Sequence, residues 1–383
     1  MAPDHTRTPG GSGLPGALPN TSNGHGPLPK ARPPTGTGRL EQADLGTFRL
    51  ESGETVPVAV AYRHDGPGPG AHQVVVVHAL TGSADAAGDW WTPLIGPGRA
   101  LDTDRVGVLC VNLLGGCYGT TGPTSIDPST GLRWGARFPQ PTARDEARVI
   151  WAVADALGIE SFALVTGGSM GGMIALEVGL ERPARVGHVA AIASPSATGP
   201  MAVGWNHIQL ELIDRLGWEG LALARQLAMT TYRSETDFDT RFGRGVQEDG
   251  RFSISSYLDH QGAKLLERFD PDTYKVLARV IDSHDIGRGR GGVVEALRVF
   301  AASGTGLTGV GMTGDILYGP GQVKALLADA SAAGVDATYR EVTTIKGHDA
   351  FLIEWDQLTA ILAATLDDGI ARSAAQAGLA IPA

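Results

Sequence analysis

Past residue 40 the chain alternates two hydrophobic patterns. Short β-rich runs occur at Val56–Arg63, Val74–His78, Val106–Val111, Phe162–Thr166, Val186–Ala193, Gly306–Met312 and Ala337–Val342. Several are apolar nearly throughout, such as VVVV at 74–77 and VGVLCV at 106–111, the signature of a strand covered on both faces. Between them lie segments of helical spacing, among them Asp145–Leu157 and Gln322–Ala333. Buried strands alternating with helices predict an α/β parallel sheet with helices on both sides. An antiparallel pair near Thr47–Arg63 fits at one edge.

The alternation stops between about Ser196 and Glu295. There the pattern is amphipathic helix, in HIQLELIDRLGWEGLALARQLAM, SYLDHQGAKLLERF and DTYKVLARVIDSHD, and the sheet pattern resumes near Leu307. A helical block spliced into such a sheet predicts a cap over one end of it. The expected organisation is a Pro/Gly-rich tail at 1–40, a first part of the core at 41–195, a helical cap at 196–295 and a second part of the core at 296–383. The tail holds 8 Pro and 8 Gly with no apolar period, which predicts a solvated, unstructured extension.

Composition narrows the classes. With 31 Lys+Arg against 41 Asp+Glu the 383-residue chain carries −10, which argues against nucleic acid or an anionic membrane surface as partner. Two cysteines, 110 and 117, cannot build a disulfide framework or a four-ligand zinc site, so a reducing, cytoplasmic setting is expected. No HExxH or Cys/His cluster implies a metal, and no apolar run reaches the ~18 residues of a membrane span. Glycine is the unusual count, 54 residues, about twice the common share.

Where the glycines sit points to chemistry. In FALVTGGSMGGM, residues 162–173, a strand-like run ends in Gly167-Gly168-Ser169-Met170-Gly171 and a helix-like run follows. This is the G-x-S-x-G elbow, whose tight strand-to-helix turn crowds the positions two before and two after the serine. A nucleophile there takes its partners in the order Ser, Asp or Glu, His, each past a strand end. LTGVGMTGD ends on Asp315 and REVTTIKGHD reaches His348, giving Ser169, Asp315 and His348 as the candidate triad. Acyl transfer also needs an oxyanion hole. Its candidate donors are the amide of Met170, next after the nucleophile, and that of Leu80, just past the strand in VVVVHALTG.

Taken together, HALTGS (78–83), NLLGGCYGTTGP (112–123), FPQPTARD (138–145), GGSMGGM (167–173), RFDPDTY (268–274), HDIGRGRGG (284–292) and GHDAFLIE (347–354) resemble the homoserine O-acyltransferases of the α/β-hydrolase fold. The resemblance spans about residues 45 to 366. It implies a mostly parallel eight-stranded sheet with a helical cap, and a ping-pong transfer from acetyl-CoA, through an acyl-Ser169, to the hydroxyl of L-homoserine in methionine biosynthesis. Arg225 and Tyr232, seven residues apart, match the family's pair for the amino-acid end of the substrate. Asp349, directly after the candidate base, matches its acidic partner for the ammonium. No bound cofactor is implied beyond acetyl-CoA as co-substrate, and the family's habit predicts a homodimer through the cap helices.

Alternatives stay open at this level: a succinyl donor, a serine acceptor, or hydrolysis on the same triad. Tyr118 and Thr313-Gly314 depart from the commoner family pattern, near the acyl-donor pocket and the acid. GRGRGG at 287–292 has no preceding strand and no GK[ST] and so is not a P-loop. It reads as a cap-to-core connection whose arginines meet CoA phosphates or pair with acidic side chains. Cys117 lacks the strand-to-helix elbow a nucleophile needs.

Overall fold

The central strands are hydrophobic on both faces because both are covered. In the computed structural model, which describes residues 39–379, the strands are β1 (Glu41–Arg49), β2 (Thr55–Asp65), β3 (Gln73–Val77), β4 (Gly107–Val111), β5 (Phe162–Gly168), β6 (Val186–Ile192), β7 (Gly306–Met312) and β8 (Ala337–Val342). They form one eight-stranded sheet in the order β1-β2-β4-β3-β5-β6-β7-β8. β1–β2 and β2–β4 are antiparallel and every other pair is parallel. The expected edge hairpin is therefore present, starting earlier than its apolar residues suggested. The tail expected at 1–40 lies outside the described residues but for its last two positions.

Alternate residues of each strand feed different cores. Val75 and Val77 of β3 join the cluster that includes Trp151, Ile174 and Leu326, on helices α1 (Ala143–Ala156), α2 (Met170–Glu181) and, further along the chain, α9 (Pro320–Ala332). Val74 and Val76 join the opposite cluster, closed by Leu358, Leu362 and Leu366 of the C-terminal helix α10 (Trp355–Leu379). α1 starts where a capping box forms, Thr142 and Asp145 each taking the other's backbone N–H. That helix begins two residues before the sequence placed it.

Between β6 and β7 the chain runs through α3 (Pro200–Leu216), α4 (Trp218–Tyr232), α5 (Glu235–Arg241), α6 (Ser253–Leu266) and α7 (Pro271–Asp282), then α8 (Val293–Ser303). No strand of the sheet interrupts them, so the helical insertion is as expected. No helix of the described residues is long and apolar enough to cross a membrane. The strand order reverses direction between β3 and β5, and ligands of open α/β sheets gather at the carboxyl ends beside such a switch point.

Candidate active site

β5 ends at Gly168 and α2 begins at Met170, so the reversal from strand to helix falls on Ser169 alone. Its backbone is held at φ 59°, ψ −128°, a left-handed setting that costs a serine ~1–3 kcal/mol. The strain persists because the neighbours fix both ends of the residue. Its N–H donates to the Ile192 carbonyl at 2.9 Å, and its carbonyl accepts from Ser194 Oγ at 2.7 Å and from the Gly172 N–H at 2.9 Å. A Cβ on Gly167 would lie 2.5 Å from the Val77 carbonyl oxygen, and one on Gly171 still closer to it. Only glycine lets β5 and α2 both press against β3.

Asp315 follows β7 and His348 follows β8, in the short helical turn Gly347–Leu352. Ser169, Asp315 and His348 therefore stand at the carboxyl end of one sheet. His348 Nδ1 lies 2.8 Å from Asp315 Oδ2, while Asp315 Oδ1 accepts the amides of Leu317 at 2.8 Å and Tyr318 at 3.0 Å. The carboxylate is thus fixed, and with an acceptor opposite it Nδ1 carries the ring proton. Nε2 is left buried with no hydrogen-bond partner among the described residues. Rings of Tyr232, Tyr318 and Phe351 surround the imidazole at centroid distances of 5.9, 5.4 and 5.6 Å. Phe351 also occupies the space where a Cβ on Gly168 would fall, which joins the imidazole to the serine elbow.

Burial opposes a charge on His348. The charge and hydrogen bond of Asp315, helped by the charge of Asp349, outweigh that and lift its pKa above the usual 6.5. The result is an imidazole with a strengthened base at Nε2 and a single allowed tautomer.

Leu80 lies just past β3 and Met170 heads α2. Their strands are adjacent, with Val77 paired to Gly167, so the two candidate amides arise from adjoining strand ends.

Arg225 and Tyr232 lie on α4, with the guanidinium 5.5 Å from the Tyr232 ring centre. Since the Tyr232 ring packs against His348 at a tilt of 37°, the pair leads from the cap to the candidate base. Among the described residues no carboxylate forms an ion pair with Arg225. Asp349 differs: its Oδ2 lies 3.1 Å from Arg233 Nε, a residue the sequence reading passed over although it directly follows Tyr232. Burial raises the Asp349 carboxyl pKa, with Arg233, Arg225 and His348 pulling against it. Tyr318 and Phe351 were also passed over, because single aromatics in loops carry no periodic signal.

The loop bearing His348 is fastened to the cap. Ser234 caps α5 and donates its hydroxyl to the Ile345 carbonyl, and Lys346 Nζ pairs with the buried Asp237 at 2.9 Å. Gly347, at φ 69°, has room only for hydrogen, since a Cβ would come within 2.7 Å of the Ser234 nitrogen.

Of the two readings of GRGRGG, pairing with acidic side chains describes what is seen. Arg288 meets Glu51 at 2.9 Å and Arg290 meets Glu177 at 2.7 Å. Burial pushes the Cys117 thiol pKa up to about 12, which disfavours the thiolate a nucleophile needs.

A capped, mostly parallel sheet with a strained serine elbow and an Asp–His pair at the same end defines an α/β-hydrolase-fold protein. Residues 73–218 match the family model described as alpha/beta hydrolase fold. The chain is 40% identical over 347 residues to the homoserine O-acetyltransferase of Moorella thermoacetica, covering 82% of this chain and 92% of that one. It is 42% identical over 346 residues to that of Thermobifida fusca, covering 82% and 89%. The crystal structure of homoserine O-acetyltransferase from Bacillus anthracis shares the fold, with a TM-score of 0.80 over 86% of this chain and 97% of that one at 23% identity. The chain belongs to the homoserine O-acetyltransferase family.

Proposed function

We propose that this chain transfers an acetyl group from acetyl-CoA to the side-chain hydroxyl of L-homoserine in a ping-pong cycle. The observation that carries the reading is the buried, unpartnered Nε2 of His348, set by Asp315 beside the Ser169 elbow. Nε2 takes the Ser169 proton as Oγ attacks the thioester carbon. The amides of Leu80 and Met170 receive the negative charge that develops on the carbonyl oxygen. Collapse of the tetrahedral intermediate breaks the C–S bond, and the departing CoA sulfur takes the proton from Nε2. In the second half the homoserine hydroxyl gives its proton to Nε2 and attacks the acetyl-serine. Collapse then returns the proton to Ser169 Oγ and frees O-acetylhomoserine. Asp315 holds the tautomer and offsets the imidazolium charge throughout.

Arg225, without a carboxylate ion pair among the described residues, binds the homoserine carboxylate beside Tyr232. Asp349 binds the ammonium and shares that role with its contact to Arg233. The product serves methionine biosynthesis. A second copy of the chain docks through the cap helices, where Met201 and Ile208 of α3 stand 67% and 49% exposed and, seven residues apart, lie on one stripe.

Free thiol released from acetyl-CoA tests the reading. Without homoserine a single burst of about one thiol per chain is expected, with continued release only when homoserine is present, and Ser169→Ala should abolish both. Release indifferent to homoserine would mean hydrolysis, and substantial turnover by the alanine variant would remove Ser169 from the mechanism. Substituting succinyl-CoA reads the donor preference directly.

A further inference from the structure

The turn that carries Leu80 is held by an uncommon chain of hydrogen bonds. His78, 2% exposed, closes β3 and packs beneath that turn; a Cβ on Gly82 would lie 2.9 Å from its own Cβ. Its Nε2 accepts the backbone N–H of Leu113 at 3.1 Å. One ring nitrogen of a neutral imidazole is an acceptor and the other a donor. Nδ1 is therefore the donor, and it meets the Ala79 carbonyl oxygen at 2.8 Å. Burial keeps the ring neutral by lowering its pKa to about 4, with the bond to Ala79 opposing.

The Ala79 carbonyl and the Leu80 N–H are the two ends of one planar trans peptide unit. Fixing the oxygen fixes the direction of the N–H on the other side. The same oxygen accepts the Gly82 N–H at 2.9 Å, and the carbonyl of that next peptide, Thr81 O, accepts Arg268 Nη1 from the cap at 2.7 Å. Donors thus line up in series from Arg268 through peptide 81–82 to peptide 79–80. Such chains polarise each successive N–H, and this one terminates at Leu80. Without the His78 bond the peptide could rotate, turning the Leu80 N–H away.

We propose that His78 is a positioning residue for acyl transfer, holding the Ala79–Leu80 peptide so that the Leu80 N–H faces the developing oxyanion. This rests on the reading of Leu80 as an oxyanion donor. His78 touches no reacting atom; it acts through the peptide it orients.

Two substitutions divide the functions of the ring. Asparagine places an amide nitrogen near the Nδ1 position and can keep the bond to Ala79 while losing Leu113. Glutamine reaches the Nε2 position and keeps the acceptor for Leu113 while losing Ala79. Removing one oxyanion donor costs ~10²–10³ in kcat. His78→Gln is therefore expected to lose about 100-fold in kcat, with the KM for homoserine changed less than about threefold. His78→Asn should lose less than about tenfold. Equal losses in the two variants, or the larger loss in asparagine, would mean a packing role only and overturn the proposal.

A second measurement needs no variant. In the wild-type protein with nitrogen-15-labelled histidine, the His78 ring must show a protonated Nδ1 and a bare Nε2. The opposite tautomer overturns the proposal even if the glutamine variant does not fold, and a loss beyond tenfold in the asparagine variant does the same. Wild-type thiol release with homoserine is measured in the same series. An inactive wild type refutes the acetyl-transfer reading itself, whereas an active wild type with two equally active variants refutes only the role of His78.

Discussion

Asp315→Asn is the sharpest perturbation of the base. The carboxylate receives three donors: the Leu317 and Tyr318 amides on Oδ1 and the His348 ring on Oδ2. An amide has one accepting oxygen and one donating nitrogen, so it must choose. Turning the nitrogen toward the backbone would orphan two buried N–H groups, each costing ~1–3 kcal/mol. Turning it toward His348 opposes a single donor, and the imidazole can answer by moving its proton to Nε2. The second arrangement wins. A proton on Nε2 leaves nothing to accept the Ser169 hydroxyl proton, and inversion of this kind in a Ser-His-Asp triad lowers kcat about 10⁴-fold, or roughly 5.4 kcal/mol at 1.36 kcal/mol per decade. The substitution keeps shape and both backbone bonds, so thermal unfolding should stay near wild type.

The pH dependence supplies a second readout. In the wild type the His348 pKa is raised, and activity falls as pH drops through that value and the base becomes protonated. Without the carboxylate, burial dominates and depresses the pKa, so the acid limb of kcat/KM moves to lower pH. Thiol release in single and multiple turnovers across the pH range measures both effects. A kcat within tenfold of wild type, or an acid limb that stays in place, would refute the tautomer argument.

Two further outcomes follow from other contacts. Arg225→Met removes a cation that forms no ion pair with a carboxylate among the described residues; a hydrogen bond to a charged group contributes ~1.5–3 kcal/mol, so the KM for homoserine should rise by about 10- to 150-fold while the burst of thiol from acetyl-CoA alone falls far less, and an unchanged KM would place the amino-acid end elsewhere. Glu146 on α1 accepts the Leu114 N–H at 2.9 Å through one oxygen and buries the other without a partner. Burial raises its pKa well above the usual 4.5, the Leu114 bond opposing and Asp145 adding. The folded state thus keeps a proton the unfolded chain gives up near 4.5, and the stability this group contributes is lost as pH rises toward its folded pKa. Glu146→Gln removes that slope, so its Tm advantage should grow with pH, and a difference constant with pH would contradict a protonated Glu146.

The inner strands were legible because burial on both faces leaves an unbroken apolar run, as in β3 and β4. The elbow was legible because its geometry tolerates only glycine at Gly167 and Gly171, and the Asp315–His348 pair because both residues follow strand ends. β1 was only partly visible: as an outer strand it alternates weakly and carries polar residues such as Glu41 and Asp44. The partners of Arg288 and Arg290 could not be read from the chain, since Glu51 and Glu177 belong to a distant edge turn and to α2. Arg233, Tyr318 and Phe351 were missed for a related reason. They act by enclosing His348 and Asp349, and enclosure is a property of the folded arrangement that leaves no spacing behind.

The fastening of residues 345–347 to Ser234 and Asp237 makes the base a property of the cap as much as of the core. His348 and the helix α4 that carries Arg225 and Tyr232 share one anchor, so displacing the α4–α5 junction would disturb both together. Loss of the Ser234 and Lys346 contacts would therefore loosen the His348 loop and the cap in one step. The same anchor makes the helical block and the segment 344–349 a single inheritable unit: a chimera that exchanges one without the other would bring a foreign cap to a base it cannot hold.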